Sequence, residues 1–135
     1  MPRWLEFHDS DLIEIVSGDD LVAVRLRAYI HEWQQSESGW SGTGWIQPVE
    51  IFLRGNPSAS ASVTGEIWNG TLKLGDDELL HLVPIPFIAD RPTHLQIELT
   101  SGAVVEVHAA RVSVDSCGAP TFVENLPNDM RPDAG

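Results

Sequence analysis

Arg25, Arg27, Tyr29, His31 and Trp33 occupy every second position of the run Leu21 to Trp33, with Val22, Val24, Leu26, Ala28 and Ile30 between them. In an extended chain this alternation puts the two sets on opposite faces. One face is then apolar. The other carries two guanidinium groups and three rings, the equipment of a wall that fixes an anionic or aromatic molecule. The same residues also describe a solvated outer face whose arginines pair with Glu50, Glu66 or Glu98 on neighbouring strands. Both readings stand at the level of sequence.

Phe7-His8-Asp9-Ser10-Asp11 offers a second constellation, because His8 with Asp9 and Asp11 could supply a general base with an orienting acid, or half of a metal site. Asp and Ser side chains also bond readily to nearby backbone amides, so a strand entry or Asx-type turn accounts for the same residues. Trp40 and Trp45 flank a glycine-rich segment, as the rings of sugar platforms and protein hot spots do. The remaining histidines, His81, His94 and His108, form no HxH or HExxH pattern with the others, which leaves distant strands as the one route to a metal site. No metal ligands and no cofactor are assigned. Cys117 is the single cysteine, which rules out an intrachain disulfide, and Asp115 nearby favours its unreactive thiol. GxSxG and phosphate-binding glycine loops are absent, so no catalytic residue is assigned.

The elements that must position these residues are strands. Leu12 to Val16, a turn at Gly18-Asp19-Asp20, and Leu21 to Trp33 form a first hairpin. Gln34 to Gly44 reads as a polar surface loop around Trp40. Trp45 to Arg54 is a strand in which Pro48 demands an edge or a bulge. Ser62 to Trp68 and Thr71 to Leu74 flank Asn69-Gly70, the dipeptide of a type I′ hairpin turn. Gly75 to Val83 is compatible with one short helical turn before Pro84, and Pro84 to Ile88 must be extended. A further hairpin turns at Ser101-Gly102, and Arg111 to Val114 is a last strand. The expected fold is all-β, an antiparallel β-sandwich or partly closed barrel of about eight to nine strands, forming a single domain over residues 1–127 with a frayed tail over 128–135.

The opening Trp4-Leu5-Glu6-Phe7-His8-Asp9-Ser10-Asp11-Leu12, followed by a strand, a Gly-Asp turn and a second strand, resembles the Phe-His-Asp-Ser/Ala start of small bacterial β-rich proteins, some grouped with the immunity proteins of polymorphic toxin systems. The resemblance spans about 25 N-terminal residues and brings no catalytic residues. It implies a small cytoplasmic protein that acts by binding.

Charge narrows the partner. Eight basic against twenty acidic residues leave a net charge of −12, which repels nucleic acid and acidic membrane surfaces and suits a basic protein. The N-terminus lacks the apolar core of a secretory signal, and the most apolar stretch, Leu79 to Ala89, falls well short of the roughly 20 residues of a spanning helix. The sequence therefore points first to a non-enzymatic acidic binding protein in the cytoplasm with a basic protein partner. A second reading is a small barrel that binds, and could transform, an anionic or aromatic molecule through Arg25, Arg27, Tyr29, His31 and Trp33. A third is a carbohydrate-binding module built on its tryptophans.

Overall fold

Three sixteen-residue strands, β1 (Arg3–Gly18), β2 (Leu21–Ser36) and β3 (Gly39–Arg54), dominate the computed structural model, which describes residues 2–131. The turn at Asp19-Asp20 joins β1 to β2, with Asp20 in the left-handed region at φ 52°. β2 and β3 pair without interruption from Leu21↔Arg54 to Ser36↔Gly39. Shorter strands complete one open antiparallel sheet: β4 (Ser58–Ala59), β5 (Gly65–Leu74), β6 (Glu78–Leu80), β7 (Leu82–Pro84), β8 (Phe87–Ala89), β9 (Thr93–Leu99), β10 (Val104–Ala109), β11 (Arg111–Ser116) and β12 (Thr121–Leu126). The order across the sheet is β4-β10-β9-β5-β1-β2-β3-β11-β8, with β12 on β3, β6 on β5 and β7 on β1.

The all-β antiparallel fold is the one the alternation predicts. β5 meets β1 over just two residue pairs, Asp11↔Glu66 and Leu12↔Gly65, and this narrow junction joins the two halves of the sheet. Their inner faces share one core: Val24, Leu26, Ile51 and Leu53 from β2 and β3 lie in the same buried cluster as Leu95, Ile97, Val105 and Val107 from β9 and β10. Burying a side chain of this size contributes roughly 1.5–3 kcal/mol, so the alternation in these four strands is the main source of the fold's stability.

Pro48 sits inside β3, where it faces Arg27 of β2. Its carbonyl accepts the Cys117 amide at 2.9 Å, so its nitrogen lies along the edge that β11 leaves at Ser116 and β12 takes up at Thr121. The missing N–H falls in a gap between two partners, which is how a central strand tolerates proline. Gln47 closes the same gap, accepting from the Arg3 guanidinium and donating to the Gly118 carbonyl at 2.6 Å.

Several sequence expectations give way here. Among the described residues the strands number twelve rather than eight to nine, because β4, β6, β7 and β8 are two or three residues long and too short to show alternation. Gln34 to Gly44 is not a loop: β2 runs to Ser36, Glu37-Ser38 is the turn, and β3 begins at Gly39. The segment from Gly75 to Val83 is not helical; Gly75, at φ 59°, opens a hairpin turn over 75–77, and Arg91 ties Asp77 and Glu78 together beyond it. Asn128–Met130, within the expected tail, forms a 3₁₀ turn, and residues 132–135 of that tail lie outside the described residues.

Asn69-Gly70 is the sharpest correction. It makes no turn, because β5 runs through it and pairs Asn69 with Glu98 and Gly70 with Ile97 just after a register shift. The Asn69 side chain accepts the Gly70 amide at 2.9 Å. Glycine is required for space: a Cβ at residue 70 would lie 2.6 Å from Cγ of the buried Phe7 ring. Gly70→Ala is therefore expected to destabilise by about 1–3 kcal/mol through overpacking. In a Phe7→Leu background the same substitution is expected to cost less, and a double-mutant cycle in urea checks this; strictly additive costs would refute the ring contact as the reason for glycine.

Candidate functional site

The alternating face of β2 that drew attention in the sequence is real, and the structure divides it in two. Val22, Val24, Leu26, Ala28 and Ile30 are buried in the core. On the opposite face Arg25 and Arg27 are exposed, whereas Tyr29, His31 and Trp33 are buried.

The buried half rests on glycines. Gly42 and Gly44 of β3 stand opposite Trp33 and His31, and a Cβ on Gly42 would strike the Trp33 ring, while one on Gly44 would strike the Tyr29 phenol. β12 pairs beside them, Leu126 opposite Gly42 and Glu124 opposite Gly44. The Tyr29 hydroxyl donates to Glu124 Oε1 at 2.9 Å; burial first, and then this carboxylate, push the phenol well above its ordinary range. Tyr29 and His31 meet edge to face with centroids 5.6 Å apart, and His31 Nε2 lies 2.8 Å from Glu6 Oε2. His31 Nδ1 and Trp33 Nε1 are buried without a hydrogen-bond partner among the described residues. A cleft of about 330 Å³ opens beside this cluster, lined by Glu6, His8, His31, His81 and Met130 among others.

The exposed half is a groove of about 450 Å³ lined by Ile13, Arg25, Leu26, Arg27, Pro48, Val49, Glu50 and Cys117. Its arginines are already engaged. Arg25 reaches Glu14 at 2.8 Å and Glu50 at 3.1 Å, and Arg27 reaches Asp11 at 3.4 Å. Of the three acids the sequence offered as partners, Glu50 is used; Glu14 and Asp11 come from β1, whose irregular alternation hid their register. Ile13 is 52% exposed in this groove. It is the extra residue where β1 slips against β2 between Leu12 and Glu14, which turns an apolar side chain outward. The Cys117 thiol is pushed up, chiefly by burial and then by Glu50, in keeping with an unreactive cysteine.

His8, Asp9 and Asp11 are not gathered into one site. His8 and Asp9 lie within, and Asp11 closes, a larger bulge in which Glu6 pairs with Tyr29 and Asp11 with Arg27, leaving residues 7–10 opposite Ala28 alone. Asp9 takes φ 72°. His8 turns outward, its Nδ1 2.7 Å from the Trp68 carbonyl and its ring edge-on to Trp68, with Asp9 at 3.7 Å from Nε2. Asp11 faces Arg27 instead. Trp40 lies under the Arg131 guanidinium at 4.5 Å, and Trp45 packs against the core and Phe122, its indole N–H donating to Thr43 Oγ1 at 2.8 Å. Trp68 on β5, at 58% exposed, is the more open ring.

Ser10 holds the bulge together. Its hydroxyl donates to the Glu6 carbonyl at 2.6 Å and accepts the Tyr29 amide at 2.8 Å, and the residue is fully buried. Among the described residues no helix is long and apolar enough to cross a membrane. Comparison with protein-family models, curated proteins and solved structures finds no match for this chain.

Ser10→Ala is expected to cost about 1–3 kcal/mol, since two backbone groups lose their partner in a buried position; urea denaturation measures it. His8 titrates above its ordinary 6.5, chiefly because its ring bonds to the Trp68 carbonyl, with Asp9, Glu6 and Glu66 adding to the effect against desolvation. A raised folded-state value means that the charged ring stabilises the fold fully below pH 6.5 and that this contribution fades as pH rises through the folded value. NMR titration of His8 is expected to give a midpoint above 6.5, and His8→Ala to destabilise more at pH 5.5 than at pH 8.

Proposed function

We propose that this chain is a non-enzymatic acidic binding protein that docks a basic protein on the outer face of β1, β2 and β3. The observation that carries this reading is the groove around Ile13. It presents an exposed apolar side chain beside Pro48, with Asp11, Glu14 and Glu50 around it, and its two arginines are neutralised from within. Such a surface suits an aliphatic or aromatic anchor flanked by Lys or Arg. The same pairing extends over the molecule, with Arg3 on Glu32, Arg91 on Asp77 and Glu78, and Arg111 on Asp20. The charge that remains is carboxylate, and a net −12 steers a cationic partner. The N-terminal resemblance to immunity proteins supplies a class of partner, a basic toxin domain such as a nuclease, and a bacterial cytoplasm as its location.

A small anionic ligand at Arg25 and Arg27 is the competing reading. It must displace two carboxylates from Arg25, whereas Arg27 is held by one contact at 3.4 Å and is the more available.

The test uses immobilised wild-type protein, Ile13→Asp and Arg27→Ala against a lysate of the source cells, beside a thermal-shift screen of metabolites. Both substitutions are exposed and are expected to alter stability by about 0.5 kcal/mol or less. The proposal expects a basic protein whose retention weakens at least tenfold in Ile13→Asp and falls as salt shortens the screening length below about 8 Å. Retention indifferent to Ile13→Asp, or a saturable metabolite shift abolished by Arg27→Ala, would overturn it.

A further inference from the structure

On the other half of the sheet, β9 and β10 bring together three side chains with metal-binding chemistry. His94 and His108 are direct register partners, and Glu106 lies two residues before His108 on the same face. The two imidazoles stack with centroids 4.2 Å apart and 7° between their planes. His94 Nε2 is 3.0 Å from Glu106 Oε1. One donor atom from each of the three residues lies within 4.8 Å of the other two.

We propose that His94, Glu106 and His108 bind a divalent first-row transition metal ion, Zn²⁺ foremost. Two imidazoles and one carboxylate are a borderline donor set that Zn²⁺ accepts at about 2.0–2.2 Å, whereas Mg²⁺ and Ca²⁺ look for six or more oxygens. Donors around a tetrahedral ion stand about 3.3–3.5 Å apart for bonds of that length, so the three groups draw in by about an ångström, a movement within reach of side-chain torsions. The backbone stays still meanwhile, because β9 is laddered to β5 on its far side and β10 to β4. Three protein donors leave a fourth position for water or an exogenous donor. The histidines border a cleft of about 370 Å³ that also includes Lys73, Asp76 and Thr93, room enough for such a ligand.

The ion is not needed for folding. Leu95, Ile97, Val105 and Val107 on the opposite faces of the same strands are buried in the core independently of it. Each substitution at the site can therefore be made in a folded protein.

Calorimetric titration of the full chain with Zn²⁺ in chelator-free buffer tests the site. One ion per chain is expected, with affinity reduced at least tenfold in His94→Ala and in His108→Ala, reduced less in Glu106→Gln, and unchanged in His81→Ala. Titration with Mg²⁺ should give no saturable heat. Circular dichroism of each variant verifies its fold, and His108, being exposed, is the variant least coupled to stability. Absence of stoichiometric Zn²⁺ binding by the wild type, unchanged affinity in folded His108→Ala, or loss of binding in His81→Ala would overturn the proposal.

Discussion

The hydroxyl of Ser10 is the contact on which the rest of the architecture turns. Before the bulge, β1 pairs with β2 and with β7; after it, β1 pairs with β2 and with β5. The strand therefore changes one neighbour at the bulge, and the two halves of the sheet meet there. A four-residue excursion would ordinarily strand the backbone groups of Glu6 and Tyr29 in a dry interior, where each unpaired group costs about 1–3 kcal/mol. Ser10 satisfies both and allows the ladder to resume at Asp11. Within the excursion Phe7 points into the core while His8 and Asp9 are both exposed, and the positive φ of Asp9 marks where the alternation breaks. Asp tolerates that conformation better than most residues.

The second constraint is the demand of large rings for flat neighbours. Tyr29, His31 and Trp33 lie on the face of β2 that would otherwise meet solvent, and they are buried because β3 offers Gly42 and Gly44 beneath them and β12 pairs alongside. Glycine in a strand interior is unfavourable on its own. Here the loss is offset by burial of an indole and a phenol, which carry more apolar area than most side chains. The glycines that lent this segment the look of a loop are the reason that it is a strand. The five-residue face is continuous in register but not in exposure, and its Arg25-Arg27 end is the exposed one.

What the sequence made legible follows from these constraints. Val22 to Ile30 and Val49 to Leu53 alternate cleanly because each contributes to one uninterrupted core face, and the hairpin at Ser101-Gly102 joins strands of regular register. The sequence was opaque wherever a local rule served a tertiary purpose. Asn69-Gly70 has the chemistry of a turn and is used to admit the Phe7 ring. β1 breaks period two at two bulges, so neither its sixteen-residue length nor the outward turn of Ile13 can be counted from hydrophobic spacing. Glu14 and Asp11 as arginine partners, and Glu106 beside the two histidines, depend on cross-strand register. Where bulges interrupt the alternation, or where polar residues face one another on the outer side, the pairing cannot be counted from linear spacing.

Charge in this protein acts differently at two ranges. Within about a Debye length of the surface an approaching partner of the proposed kind would sense the summed charge, −12, and arginines that are already paired do not alter its sign. At contact, the outer face of β1 to β3 presents Ile13 and Pro48 between ion pairs whose members hold one another in place. In the proposed complex, steering and grip would be carried by different residues: distributed carboxylates would draw a cation toward the surface, while a few apolar atoms in a preorganised frame would decide what remains there. Surface ion pairs of this kind add little to stability, and Arg25, held by Glu14 and Glu50, is better understood through the rigidity it gives the groove wall. A flexible arginine in that position would pay an ordering cost on each encounter with a partner of the proposed kind; one already held by two carboxylates would pay less.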